Sequence, residues 1–263
     1  PMPQALSLYE LNSLVRETIE TTLRGEYWVE AELSEYRENR GHCYMELIQK
    51  DDNSAMLLAR AAAKCWRSTW QTIKPYFIRV TGQELHAGMK VMLKVYPQFH
   101  EQYGFSWIVT DINPEFTLGD MARKRQEIIR QLKEEGVFDL QKDLRIPMFA
   151  QRIAVISSAT AAGYGDFCNQ LADNSLHLIF HTELFASTMQ GEHVEQSVIA
   201  ALNKINDRTD DFDVVVIIRG GGGTSDFSGF DTLALAENVA NFPLPIITGI
   251  GHDRDECILD MVS

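Results

Sequence analysis

The run Val214-Val-Val-Ile-Ile-Arg-Gly-Gly-Gly-Gly-Thr-Ser-Asp226 leaves few options for the fold around it. Consecutive β-branched apolar residues fit a strand buried on both faces, and such strands belong to parallel sheets covered by helices. The strand breaks abruptly into four glycines and then polar side chains. An echo of it, Pro245-Ile-Ile-Thr-Gly-Ile-Gly-His-Asp-Arg-Asp255, repeats the pattern. In sheets of this kind ligands gather where the strands end, because loops converge there and the following helices aim backbone N–H groups outward. Arg219 and His252 stand at two such ends.

The surrounding sequence supports that reading. Strands over Arg152–Ser157, Leu176–Phe185, Val214–Ile218 and Ile246–Gly249 alternate with helices from about Asp166, over Glu192–Ile205 and over Asp231–Ala240. Such alternation predicts a mostly parallel sheet domain over 151–263. Its strand ends carry Ser157-Ser-Ala-Thr160, Arg219-Gly-Gly-Gly-Gly223 and Gly249-Ile-Gly-His252, all polar or glycine-rich.

The first half has a different character. Apolar residues at 8, 11, 14, 15, 19 and 23 follow helical spacing over Leu8–Leu23, with Ser7 as N-cap, Glu10 completing a capping box and Gly25 as terminator. Candidate strands then run over Trp28–Tyr36, His42–Lys50, Ala55–Ala63, Met89–Tyr96 and Gly104–Ile112. Asn39-Arg-Gly41, Asp51-Asp-Asn-Ser54 and Gln102-Tyr-Gly104 supply turn chemistry between them. The alanines of the third strand give it little β-propensity. With a helical segment over Cys65–Ile78 between the third and fourth strands, the pattern fits an OB-fold, a five-stranded barrel that binds single-stranded nucleic acid in many settings. A helix over Asp120–Glu135, capped by Gly136, connects the halves. The expected architecture is thus an α/β multidomain chain: an OB-fold β-barrel with its N-terminal helix (1–115), a helical connector (116–150) and a mostly parallel α/β sheet domain (151–263).

Exposed aromatics and cations on the second and third strands would form a nucleic-acid face, with Tyr36, Arg37, Arg40, Tyr44 and Arg60 as candidates for stacking on bases and pairing phosphates. Half-buried strands are rich in aromatics in any case, so each of these residues also has a plain structural reading. The formal net charge of −13 argues against a polyanionic partner. That objection is blunted because many acids fall on helices while Arg123, Lys124 and Arg125 cluster. The longest apolar runs are of strand length and no basic segment precedes an apolar one, which predicts neither a membrane span nor a signal peptide and makes the cytoplasm the expected compartment. Cysteines at 43, 65, 168 and 257 show no CxxC spacing, as expected for reduced thiols rather than disulfides or a zinc site.

At the strand ends, Gly220, Gly221, Gly222 and Gly223 let the backbone approach a bulky anion and form a concave nest of N–H groups, for which phosphate is the natural guest. There is no GxxxxGK[ST] element to hold a nucleoside triphosphate with magnesium. A dinucleotide-binding reading from Gly220 lacks a ribose-binding acid after the next strand. His252 and Asp255 lie three apart, and a histidine whose tautomer is fixed by a carboxylate can protonate a leaving oxygen or deprotonate water. Arg219 offers a permanent planar charge for the oxygens of a phosphoryl transition state. Asp166, after the first strand of the sheet, adds a carboxylate. Each has a plainer role, as helix cap or ion-pair partner, but all four are expected at one edge of one sheet.

The order of an OB-like module, a connector ending in Glu135-Gly-Val-Phe-Asp139, and an α/β domain with Arg219-Gly-Gly-Gly and Gly251-His-x-x-Asp255 resembles the large subunit of bacterial exodeoxyribonuclease VII along essentially all 263 residues. The resemblance implies degradation of single-stranded DNA from both ends to short oligonucleotides. It also implies no strict cofactor, magnesium being at most stimulatory, and no resident metal ligands. It carries Asp166, Arg219, His252 and Asp255 over as catalytic residues. Thr160-Ala-Ala-Gly-Tyr-Gly-Asp166 departs from the family's T-G-A-A-x-x-D at the first glycine, Asp253 stands where glutamate is usual, and Cys257 where threonine is. The family continues past the Asp260 region into a long helical segment that recruits several small subunits, so a chain ending at Ser263 is expected to be truncated. Two other readings stay open: a module that holds single strands without cutting them, and an enzyme acting on a small nucleotide through its glycine-rich loop. A hard cation gathered by Asp166, Asp255 and Asp260 is a further possibility on composition alone.

Overall fold

The computed structural model describes residues 2–159, 162–219, 228–250 and 257–263. The chain divides into two compact units, Pro1–Ala122 and Arg123–Ser263.

The first unit is a closed five-stranded barrel. Its strands β1 (Tyr27–Asn39), β2 (His42–Lys50), β3 (Leu57–Cys65), β4 (Lys90–His100) and β5 (Gly104–Ile112) close in the order β1-β2-β3-β5-β4. Every neighbouring pair is antiparallel except the short parallel contact of β3 with β5, Ala63↔Trp107 and Lys64↔Ile108. The β1–β2 hairpin turns through Arg40 and Gly41, both at positive φ (53° and 84°), the geometry of a primed turn that matches strand twist. Helix α2 (Arg67–Thr81) follows β3 and sends Trp70, Ile73 and Phe77 into the core with Leu33, Met45, Leu47, Val91 and Leu93. The third strand begins two residues later than the alanine run predicts and continues through Cys65; only its end is buried, and Ala55 sits at positive φ in the preceding turn.

Helix α1 (Leu8–Thr22) forms with the predicted cap, Ser7 Oγ accepting the Glu10 N–H at 3.1 Å. Its apolar stripe, however, lies outward: Leu8, Leu11, Leu14 and Val15 are exposed. The helix meets the barrel through polar groups, Asn12 Nδ2 donating to the Glu101 carbonyl at 2.8 Å and Arg16 pairing with the Glu101 carboxylate at 2.9 Å.

Helix α3 (Pro114–Glu134) starts earlier than its periodicity predicts. Asn113 and Pro114 are a helix start that periodicity cannot see: the Asn113 side chain accepts the Glu115 N–H at 3.2 Å and proline suits the first helical position.

The second unit is built on a four-stranded parallel sheet in the order β7-β6-β8-β9, with β6 Arg152–Ser157, β7 His181–Ala186, β8 Val214–Ile218 and β9 Ile246–Gly249. Alternation sorts the strand residues between two layers. Ala154, Ile156, Val215 and Ile217 pack with α5 (Val194–Asn206), α6 (Leu233–Ala240) and α7 (Ile258–Val262). On the other face, Ile153, Val155, Val214 and Val216 meet Tyr164, Phe167 and Leu171 of α4 (Ala162–Ala172). Strand β7 is shorter than the expected Leu176–Phe185, because Asn174 closes a turn before it, accepting the Leu178 N–H and donating to the carbonyls of Leu171 and Leu178, all at 2.8 Å. Leu176 and Leu178 are left exposed.

Candidate functional site

The sheet order places a topological switch point between β6 and β8: the chain leaves β6 for β7 on one side and returns to β8 on the other, and a crevice at the carboxyl ends of such strands is where open sheets bind ligands. Arg219 stands there, the residue immediately after β8. Its N–H donates to the Gly249 carbonyl at 3.3 Å, continuing the ladder one step beyond the Ile218↔Gly249 pair. Arg219 is only 8% exposed, so its charge sits in a medium where an anion would feel it strongly. The glycine-rich stretch and the histidine stretch therefore leave the sheet from neighbouring strands at the same end. Gly220, Gly221, Gly222, Gly223, His252 and Asp255 themselves lie outside the described residues.

Asp166 departs from its expected place. The helix does not begin near it but at Ala162, so Asp166 occupies the second turn, on the exposed side of α4. Helix α4 covers one layer of the sheet while Arg219 follows Val215 and Ile217 toward the other. The two share an edge of the sheet but approach it from opposite faces.

The ends of the histidine stretch are fastened by acids whose role the sequence reading missed. Asp260 accepts from Thr248 Oγ1 at 2.7 Å and from the Cys257 N–H at 3.3 Å, joining β9 to the start of α7. Asp231 accepts the Ile258 N–H at 2.7 Å and is held by Arg125, at 2.8 Å from Nη2 and 3.2 Å from Nε. Arg125 thus serves inside the unit rather than as part of a free basic cluster. An acid three residues after Cys257, at the start of an apolar run, was the signal available for Asp260. Both Asp260 carboxylate oxygens accept from protein donors; among the described residues, which leave out Asp255, no group of three His, Cys, Asp or Glu side chains is arranged to hold a metal ion.

In the first unit the five candidate nucleic-acid residues separate. Tyr36 is not on the outer face: its ring packs on Trp70 (centroids 6.0 Å apart) and its hydroxyl donates to Glu38 at 2.5 Å. Burial and the neighbouring Glu38 push that hydroxyl's pKa up, while hydrogen bonds from Lys74, Tyr36 and Trp70 hold Glu38 below the usual carboxylate range. Arg37 and Tyr44 do share the outer face, the guanidinium 4.6 Å from the ring centroid. The row continues into residues not anticipated: Tyr44 pairs across the ladder with Lys64, whose ammonium lies 5.9 Å from the rings of both Trp66 and Tyr103. Arg40 belongs to the hairpin turn, its carbonyl accepting from Arg67 Nε at 2.9 Å. Arg60 lies further along the same face, loosely paired with Glu46 at 3.5 Å.

Comparison with known proteins finds matches for both parts of the chain. Residues 6–113 match the family described as an OB-fold nucleic acid binding domain, and residues 137–263 match the one described as exonuclease VII, large subunit. Along nearly its whole length the chain is similar to exonuclease VII large subunits. Three curated relatives, each named exodeoxyribonuclease 7 large subunit, align along nearly the whole chain. That of Deinococcus radiodurans is 34% identical, with 100% of this chain and 64% of the relative covered. For Shewanella loihica the values are 31%, 100% and 55%, and for Nostoc sp. 30%, 98% and 59%. The chain therefore spans between a half and two thirds of the length of these exonuclease VII large subunits. Among the described residues no helix is long and apolar enough to cross a membrane.

Proposed function

We propose that this chain is the DNA-handling and catalytic part of an exonuclease that hydrolyses phosphodiester bonds of single-stranded DNA from both ends to short oligonucleotides, in the cytoplasm and in complex with small subunits. The observation that carries this reading is the buried Arg219 at the switch point, followed directly by four glycines, in a chain whose first unit is an OB-fold nucleic-acid module. A guanidinium and a nest of backbone N–H groups at one strand end suit a phosphodiester whose non-bridging oxygens gain charge in the transition state. His252 is the general acid or base, with Asp255 orienting its ring and Asp166 orienting water or His252 from the α4 side. The outer row of Arg37, Tyr44, Lys64, Trp66 and Tyr103 guides the strand by stacking and charge. Divalent metal is at most stimulatory.

The test is release of acid-soluble oligonucleotides from single-stranded DNA by the full-length chain assembled with small subunits, in EDTA and in magnesium. Activity in both media, lost in Arg219→Ala and His252→Ala variants that still melt like the wild type, is the expected result. Retention of wild-type activity by His252→Ala overturns the catalytic assignment. Binding without release by the wild-type assembly favours a holding module instead.

A further inference from the structure

The barrel of the first unit is not filled to its end. At the mouth where β1 and β3 begin and β2 ends lies a cavity of about 320 Å³, near the lower end of the range for small-molecule sites, about 300 Å³. Its wall includes inward positions of all five strands, among them Tyr27, Leu47, Ala59, Ala61, Val95 and Trp107, and the outward Trp28, Glu30, Ile48 and Arg60 complete its rim. The register shows why the wall residues face inward together: Tyr27 lies opposite Val95, Leu47 opposite Ala61, and Ala63, itself buried, opposite Trp107. The cause of the space is the β3 sequence. Where β2 and β4 contribute Leu47 and Val95, β3 contributes Ala59 and Ala61, and its pairing with β5 covers only Ala63 and Lys64. The alanine run that makes β3 a poor strand by propensity is what opens the barrel.

We infer that this mouth is a binding pocket for one unstacked nucleobase of a single strand, an assignment that rests on the single-stranded-DNA reading above and deepens it. The pocket is apolar and aromatic, with the ring of Trp107 meeting Tyr27 edge-on (centroids 6.4 Å apart, planes at 82°), so a planar group can lie against one ring and abut the edge of the other. The small Ala59 and Ala61 side chains on the lining leave room for a flat heterocycle. Gln49 lines the cavity and supplies amide hydrogen-bonding groups for a base edge. Arg60, also on the lining, keeps its guanidinium side mostly in solvent, with 62% of the side chain exposed. This suits a ligand that is apolar and flat where it enters and anionic where it leaves, as a nucleotide within a strand is and an aliphatic side chain is not.

The experiment measures binding of the full-length chain to two probes of equal length, oligothymidylate and an abasic phosphodiester, both with phosphorothioate linkages that resist cleavage. The expected result is that wild type binds oligothymidylate more tightly and that Ala59→Leu, which fills the mouth at an exposed position, weakens oligothymidylate by on the order of tenfold, the value of one stacked base, while leaving the abasic strand unchanged. Quenching of tryptophan fluorescence by oligothymidylate in a Trp28→Phe, Trp66→Phe background, lost on Trp107→Phe, is the second readout and needs no filled variant. Equal binding of oligothymidylate by wild type and Ala59→Leu, without quenching through Trp107, overturns the pocket while DNA binding stands, and leaves a partner protein's apolar side chain as its occupant. If wild type binds neither probe, the single-strand reading fails first and the pocket assignment with it.

Discussion

Thr248 Oγ1 donates to Asp260 Oδ1 at 2.7 Å, so the last strand of the parallel sheet and the helix that follows the Gly-His-Asp-Arg-Asp stretch are joined by side chains on either side of it. The same carboxylate accepts the Cys257 N–H at 3.3 Å. Thr248 lies immediately before Gly249, whose carbonyl accepts from the Arg219 N–H. Disturbing this bond therefore reaches both strand ends of the candidate site.

Thr248→Val keeps the shape of the side chain and removes its donor. It is expected to destabilise the fold by about 1 kcal/mol and to lower the nuclease rate more than that loss of stability accounts for, whereas Thr248→Ser keeps the donor and stays near wild type. Denaturant melts and rates measured on the same preparations decide it; a rate that tracks stability alone would count against a positioning role.

Gln141 is the buried polar side chain that fixes where β9 begins. Its amide donates to the carbonyls of Phe242 and Leu244 at 3.0 and 3.1 Å and accepts the Ile246 N–H at 2.9 Å, with the residue 5% exposed. Gln141→Leu strands three backbone groups away from water. The expected cost is about 2–4 kcal/mol, read as a shifted midpoint of urea unfolding with an unchanged slope.

How much of this was legible beforehand depends on whether the signal was local. The strands Val214–Ile218 and Ile246–Gly249 and the position of Arg219 directly after the first of them could be read because uninterrupted β-branched runs have one common structural use. The five-stranded barrel could be read from turn chemistry and strand count. Tyr36 could not: a bulge in the β1–β2 register between Leu33 and Glu35 shifts which residues face inward, and a reading of strict alternation cannot see it. Asp166 was misplaced within its helix because Ala162–Gly165 carries no start signal. The exposure of the α1 stripe could not be read either, because periodicity reports that a helix has an apolar face, not what covers that face.

Asp213 predicts a pH dependence. It accepts N–H groups from Gln151 and Arg152, both at 3.0 Å, and the Arg152 guanidinium at 2.9 Å, which together hold its carboxyl down to about 2. Because the folded value lies below the ordinary one, the stabilisation is complete above about pH 4 and is lost as the pH falls toward 2. Asp213→Asn should cost on the order of 1 kcal/mol at neutral pH, since Arg152 is half exposed and screened by solvent, and should flatten the decline of stability between those limits. Thermal melts across the acid range test it; parallel curves for the variant and wild type would contradict it.

The thiols should titrate by burial. Cys43 and Cys65 face one another across β2 and β3 inside the barrel, and burial pushes each pKa up to about 12. Cys257 is buried and raised as well, whereas Cys168 on α4 is half-buried. Only thiolates react readily. A disulfide reagent at neutral pH should therefore modify Cys168 rapidly and the remaining three only on unfolding; fast modification of two or more thiols in the native protein would contradict this burial pattern.

Gly229 governs how the glycine-rich stretch rejoins the fold. It lies in a short 3₁₀ turn, Ser228–Phe230, that re-enters the core through Phe230, and a Cβ at this position would come 2.9 Å from both Cβ and Cγ2 of Val194 and 3.1 Å from the Gly191 carbonyl. Val194 opens α5, is 1% exposed, and as a β-branched residue in a helix has essentially one rotamer, so it cannot turn aside. Gly229→Ala should cost about 1–3 kcal/mol through overpacking. Relief comes from the opposing side: Val194→Ala alone loses packing, but in its background Gly229→Ala should cost less than in wild type, because the two contacting carbons nearest the new methyl are reduced to one. A double-mutant cycle isolates that coupling. Strict additivity would show that the turn escapes the clash by shifting its backbone, and then Gly229→Ala should impair nuclease activity in proportion to the displacement it imposes on the stretch leading back to Arg219.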